Sequence, residues 1–386
     1  MDHAPPEADA EDPEIHLDSI IRQDALALSG QLASMRAKLF PPRSTKTLRH
    51  FSSGEAAALI GVTDAYLRQL SLAGQGPQPK TGIRGRRSYS LAQVNALRRF
   101  LSASERRSYE PHRTEGEALQ VLAITNFKGG SGKTTTAAHL AQYLALRGYR
   151  VLAIDLDPQS SLSALFGIQP EADLEENDTL YAALRYDAQR RPLREVIRPT
   201  YFDGLDLVPA NLELQEFEHD TPRILARGGR SMDSPFFTRI AEVLGSVAAR
   251  LCAATGVIVT IHPQMLDVAS MGQFLFMTSD LLEVVRHGGG TLDYRFLRYL
   301  VTRYEPQDGP QTQVVGFLRT LFGERVLTNA MLKSTAVSDA GLTKQTLYEI
   351  GRQGGAKGSY ARALEALDAV NLEIEQLIRR GWGRTA

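Results

Sequence analysis

A chain of 386 residues exceeds the roughly 250 to 300 residues at which a single core stops growing, so more than one domain is expected. Its 44 Lys and Arg balance its 44 Asp and Glu, so any attraction to nucleic acid or membrane has to come from local patches. The one cysteine, Cys252, excludes an internal disulfide, a multi-cysteine zinc site and an iron–sulfur cluster ligated by one chain. No run reaches the roughly 18 to 20 apolar residues of a membrane span, and the expectation is a cytoplasmic protein without a membrane partner.

Residues 1–18, rich in acids and prolines, have little to bury and read as a disordered tail. Residues 19–40 carry apolar side chains at helical spacing up to Pro41 and Pro42, which suits either a dimer contact or packing on the helix's own domain. Residues 41–102 turn basic. There, "FSSGEAAALIGVTDAYLRQLSLAGQ" reads as a short helix from about Ser53, a turn at Gly61, Val62 and Thr63, and a second helix from Asp64. Gly82 and Gly85 punctuate two short strand-like pieces in "PKTGIRGRRSYS", and "LAQVNALRRFL" is helical again.

This is the outline of a winged helix-turn-helix. Tyr66, Arg68 and Gln69 on the second helix are the candidate groove contacts, and Arg84, Arg86 and Arg87 in the wing are candidates for phosphate or the minor groove. Leu59, Val62, Leu67 and Leu70 read as core; the alternative to a winged module is a small helical bundle with a solvated basic face, for which Arg98 and Arg99 are the candidates. The polar stretch 103–118 is a linker.

From residue 119 to 386 the pattern is α/β. The runs "LQVLAIT", "YRVLAIDL", "LDLVPA" and "TGVIVTI" alternate with helical segments, predicting a mainly parallel sheet with helices on both faces, and "SYARALEALDAVNLEIEQLIRR" reads as a long amphipathic helix. The first strand leads into "NFKGGSGKTTT" and then a helix, the context of a P-loop. Gly129, Gly130 and Gly132 let backbone N–H groups of the loop, with Ser131 and Thr135 beside them, approach phosphate oxygens. Lys133 is placed for the β- and γ-phosphates and Thr134 for Mg²⁺, so the expected ligands are ATP and Mg²⁺.

Phe127 stands where the general pattern has its first glycine, and Lys128 precedes "GGSGKT". In this form the loop resembles the deviant Walker A of the ParA/MinD superfamily. "DLDPQ", "LDLVPANLELQEFE", "VIVTIHPQMLDVASM" and "ERVLTNAMLKSTAVSDAGLTKQTLYEI" are similar to further segments of its partition ATPases, specifically the RepA branch. The resemblance implies a P-loop ATPase that sandwiches ATP in a homodimer. Lys128 would reach the partner's nucleotide, Asp157 would orient the attacking water and Asp155 would stand near the Mg²⁺ shell. It also implies operator-specific and nonspecific DNA binding on the nucleoid, a centromere-binding ParB/RepB-type adaptor, and repression of the protein's own operon.

One element of that family is not found in the sequence. The Walker B strand, apolar and ending in Asp, belongs between "SPFFTRIAEVL" and "LCAATGVIVTI", where only "GSVAAR" stands. Its loss would leave neighbouring strands unpaired and deprive the metal of its usual carboxylate, so weak nucleotide binding and slow or absent hydrolysis are expected. A noncatalytic DNA-binding repressor is the alternative reading.

Overall fold

The computed structural model describes residues 17–39, 46–82, 85–105, 107–111, 113–217, 255–287, 294–351 and 357–384. The acidic tail up to residue 16, Cys252 and the segment where the Walker B strand was sought, within 218–254, lie outside them. Two compact units result, Met1–Ser44 and Thr45–Ala386. The first contributes one helix, α1 (Leu17–Leu39).

The second unit opens with β1 (Phe51–Ser52), α2 (Ser53–Ile60) and α3 (Asp64–Leu72), followed by β2 (Lys80–Thr81), β3 (Arg87–Tyr89) and α4 (Leu91–Ser104). Local chemistry explains the boundaries. Ser52 and Glu55 form a reciprocal capping box at the start of α2, and Gly61 ends the helix in the left-handed region at φ 85°. The Thr63 hydroxyl accepts from the Tyr66 amide to start α3, and Ser90 with Gln93 repeats the capping box on α4. The three short strands pair antiparallel in the order β1-β3-β2. Leu67 and Leu70 are buried and Leu59 and Val62 pack against the same core.

The α/β part runs β4 (Leu122–Thr125), α5 (Lys133–Arg147), β5 (Val151–Ile154), α6 (Ser161–Leu165), α7 (Pro170–Asp173), α8 (Leu180–Leu184), β6 (Arg198–Pro199) and β7 (Leu205–Val208). After the undescribed stretch come β8 (Gly256–Ile261), α9 (Met265–His287), β9 (Phe296–Val301), α10 (Gly309–Phe322), α11 (Thr335–Leu342), α12 (Leu347–Ile350) and α13 (Lys357–Gly381). All four strands read from the sequence are present; β9, from "FLRYLV", was not anticipated. The α/β class is as expected.

The described strands form two parallel-paired groups, β4-β8-β9 and β5-β7-β6, with β6 added antiparallel. Helix α5 packs on β4 and β5 alike. Among the described residues no ladder joins those two strands, and all four residues of β4 are only half-buried. Inner strands of a parallel sheet are ordinarily covered on both faces.

The two parts of the unit share one core. Phe51, Tyr89, Val94 and Leu101 of the amino-terminal module belong to the same buried cluster as Ala138, Leu140 and Ala145 of α5. The linker is strapped down by the far end of the chain: Arg384 forks onto the Glu117 carboxylate at 2.5 and 2.7 Å, and the Trp382 indole donates to the Ala118 carbonyl at 2.7 Å.

Arg98 does not lie on the solvated face for which it was a candidate. It is 2 % exposed instead of solvated, wedged between α4 and α5, whereas Arg99 is exposed as expected. Its aliphatic stem and buried carbonyl partners override the usual tendency of arginine to stay in water.

Candidate phosphate site and the amino-terminal module

The loop between β4 and α5 is built for close approach of an anion. Gly130 and Gly132 adopt φ 75° and 87°, and α5 has no side chain capping its amino terminus, which leaves its first N–H groups for another acceptor. The carboxyl ends of β8 and β9 hold the loop from behind. The Thr302 hydroxyl donates to the Ser131 carbonyl at 2.8 Å, the Ser131 and Thr260 hydroxyls meet at 3.0 Å, and Arg303 donates to the Gly130 carbonyl at 3.3 Å. Asn126 ties the loop's entrance to the Thr260 carbonyl and accepts from the Lys128 amide at 2.9 Å.

The two lysines are differently employed. The Lys133 ammonium donates to the Lys128 carbonyl at 3.1 Å, within the loop itself. The Lys128 ammonium reaches Asp267 on the first turn of α9 and forms an ion pair with it. Asp267 is buried and its other oxygen accepts from His262 Nδ1 at 3.2 Å. Burial, reinforced by the nearby Arg303 and Lys128 charges, holds the His262 imidazole below its ordinary pKa, so it donates as a neutral ring. Spacing alone could not reveal Thr260, Thr302, Arg303 or Asp267, because strand pairing brings them to the loop; Asn126 adjoins the motif and was open to notice.

The acidic pair after β5 divides in environment. Asp155 is 3 % exposed, and one oxygen accepts from both the Ser163 amide at 2.8 Å and its hydroxyl at 2.7 Å, while the other accepts from the Asp157 amide at 3.2 Å. Burial raises its pKa against these hydrogen bonds. Asp155 thus organises the turn into α6. Asp157 is half-buried, with its Oδ1 accepting from the Gln159 amide at 3.0 Å. Thr134 and Thr135 are half-buried at the start of α5. Among the described residues no group of three or more His, Cys, Asp or Glu side chains could hold a metal ion.

In the amino-terminal module, Arg68 and Gln69 project from α3 into solvent, and Arg86 is exposed beside the half-buried Arg87 of β3. Arg84 lies outside the described residues. The Tyr66 hydroxyl is engaged instead, donating to Glu105 at 2.7 Å while Tyr109 donates to the other oxygen at 2.5 Å. No helix among the described residues is long and apolar enough to cross a membrane.

This loop-strand-helix architecture belongs to the CobQ/CobB/MinD/ParA nucleotide binding domain family, whose model matches residues 122–347, more than half of the chain, and the protein is a member of that family. Among its relatives, a Sinorhizobium fredii protein with the provisional name replication protein A is 51 % identical over 404 aligned residues, covering 99 % of this chain and 98 % of the relative. Protein SopA of Escherichia coli K12 is 30 % identical, covering 88 % and 92 %. The alignment with the Sinorhizobium protein is longer than this chain's 386 residues, so that relative carries residues opposite gaps here. Of solved structures, one described as a partition protein covers 94 % of this chain with a TM-score of 0.59 at 17 % identity, a likeness of fold.

Proposed function

We propose that this protein is a replicon-partition ATPase that binds Mg-ATP at the Lys128–Thr135 loop as a sandwich dimer. It would bind DNA through its amino-terminal module and its ATP form, and act with a centromere-binding adaptor of the ParB/RepB type. In this reading the module is a winged helix-turn-helix that also represses the protein's own operon, with Arg68, Gln69, Arg84, Arg86 and Arg87 as its DNA contacts. The observation that carries the reading is the loop itself: left-handed glycines at 130 and 132, an uncapped α5 and two lysines, cradled by β8 and β9. Similarity to relatives named for replication and for chromosome partitioning supports it. Hydrolysis is expected to be slow, because Asp155 is committed to Ser163.

The test is DNA association by purified protein. Specific binding to the DNA upstream of its own gene, together with ATP-dependent binding to random duplex, is expected; folded protein that does neither would overturn the role. A second reading, a repressor with an impaired ATPase, is favoured by the commitment of the Asp155 carboxylate to Ser163. It requires specific DNA binding that ignores ATP.

A further inference from the structure

The phosphate loop and the amino-terminal module meet at opposite ends of one helix. Helix α5 starts in the loop at Lys133 and ends at Arg147, about 22 Å away at 1.5 Å per residue. At its carboxyl end stands the buried Arg98 of α4. One nitrogen of the guanidinium, Nη2, donates to the Leu146 carbonyl in the last turn of α5 at 2.6 Å and to the Leu59 carbonyl in the last turn of α2 at 2.7 Å. The other, Nη1, is braced by Asn95 one turn earlier on α4. A cation here satisfies the open carbonyls and the negative dipole ends of two helices at once, one from each part of the unit.

The surroundings are shaped around this group. Gly148, the residue ending α5, has φ 97°, and a Cβ there would lie 2.9 to 3.0 Å from the guanidinium. Asn95 also donates to the Asp203 carboxylate at 2.7 Å, fixing α4 to the turn before β7. Burial and the neighbouring Arg147 charge both act against the Arg98 cation, with Glu110 opposing. Removing the group would leave two inward-facing carbonyls without this donor.

We propose that Arg98 is the positioning residue that couples nucleotide occupancy of the loop to the amino-terminal helix pair, by making the carboxyl ends of α5 and α2 move together. The inference rests on the reading of the Lys128–Thr135 loop as a nucleotide site. A ligand that draws the first turn of α5 toward its phosphates shifts a rigid helix along its axis, and the shift arrives at Leu146. Through the shared guanidinium it reaches Leu59, two residues before the turn that leads into α3. An apolar residue at 98 would fill the space but transmit nothing to the α2 carbonyl.

The test is amide hydrogen exchange on the full chain with and without Mg-ADP, in wild type, Arg98→Met and Arg98→Lys, each checked for a cooperative thermal transition. In wild type, Mg-ADP is expected to slow exchange in the loop and, by about fivefold or more, in α2 and α4. In Arg98→Met the loop should still respond while α2 and α4 respond less than about twofold, below the range of ordinary allosteric coupling. Should the methionine variant not fold, Arg98→Lys decides: its ammonium lacks the planar fork, and at least half of the α2 and α4 response should vanish. An undiminished response in the folded variant overturns the inference. A wild-type loop that responds while α2 and α4 do not overturns it too, leaving the nucleotide site standing. No response even in the loop overturns both.

Discussion

The Lys128 ammonium is ion-paired to the Asp267 carboxylate across 139 residues of sequence, so the lysine that distinguishes this phosphate loop is already engaged within its own chain. Any nucleotide that recruits Lys128 has to break that pair first. Asp267→Asn removes the competing charge while keeping an acceptor for His262. If Lys128 acts on a partner's nucleotide, Asp267→Asn should assemble an ATP-dependent dimer at roughly fivefold lower protein concentration, equivalent to about 1 kcal/mol, the scale of a partly exposed ion pair. Sedimentation with and without ATP checks this; an unchanged or weaker dimer would mean that the pair does not hold the lysine back.

His139, fully enclosed on α5, contributes a pH dependence of defined sign. Burial pushes its imidazole down to about 4, against hydrogen bonding to the Thr135 carbonyl and the charge of Glu349. The unfolded chain binds this proton near pH 6.5, so between 6.5 and 4 it carries more protons than the folded one, and stability is lost as pH falls. The loss should be on the order of 3 kcal/mol by pH 4. Denaturant unfolding of wild type and His139→Gln, which keeps a donor and an acceptor, should give curves that converge as pH falls through this window. Parallel curves would refute the assignment.

Gly256 opens β8 next to the phosphate-loop strand, and a Cβ there would come within 2.7 Å of three ring carbons of the buried Phe296 on β9. Gly256→Ala should cost about 1 to 3 kcal/mol by overpacking. Gly256→Ala combined with Phe296→Leu should recover part of that loss in thermal melts.

On α3, neighbouring side chains have different duties. Tyr66→Phe deletes the hydroxyl bonded to Glu105 and should lower stability only slightly, with DNA affinity unchanged. Arg68→Ala and Gln69→Ala, at exposed positions, should leave stability alone and cost about 1 to 3 kcal/mol in specific DNA binding. A fluorescence titration with the cognate duplex separates the two.

The local chemistry of the fold was legible in the sequence. Gly130, Gly132 and Lys133 follow a strand and open a helix, and Gly61 marks the turn between α2 and α3, because conformational demands of this kind are written into adjacent residues. What escaped the reading depends on pairing between distant segments. Asp267, Thr260 and Thr302 reach the loop only through the parallel register of β8 and β9. Arg98 looked like a solvated charge because its partners, the Leu59 and Leu146 carbonyls, are backbone groups without a side-chain signature. Tyr66 has the right type and position for a groove contact, and only the tertiary placement of Glu105, the residue after α4, shows its hydroxyl engaged.

Equilibrium binding of Mg-ATP by wild type and Lys133→Ala, followed by turnover in the presence of DNA, decides whether the Lys128–Thr135 loop is a nucleotide site. Saturable binding that Lys133→Ala weakens by tenfold or more, about 1.4 kcal/mol or greater, is expected, with slow turnover abolished in the same variant. Folded wild type that binds no nucleotide, or binding that Lys133→Ala leaves unchanged, would contradict it.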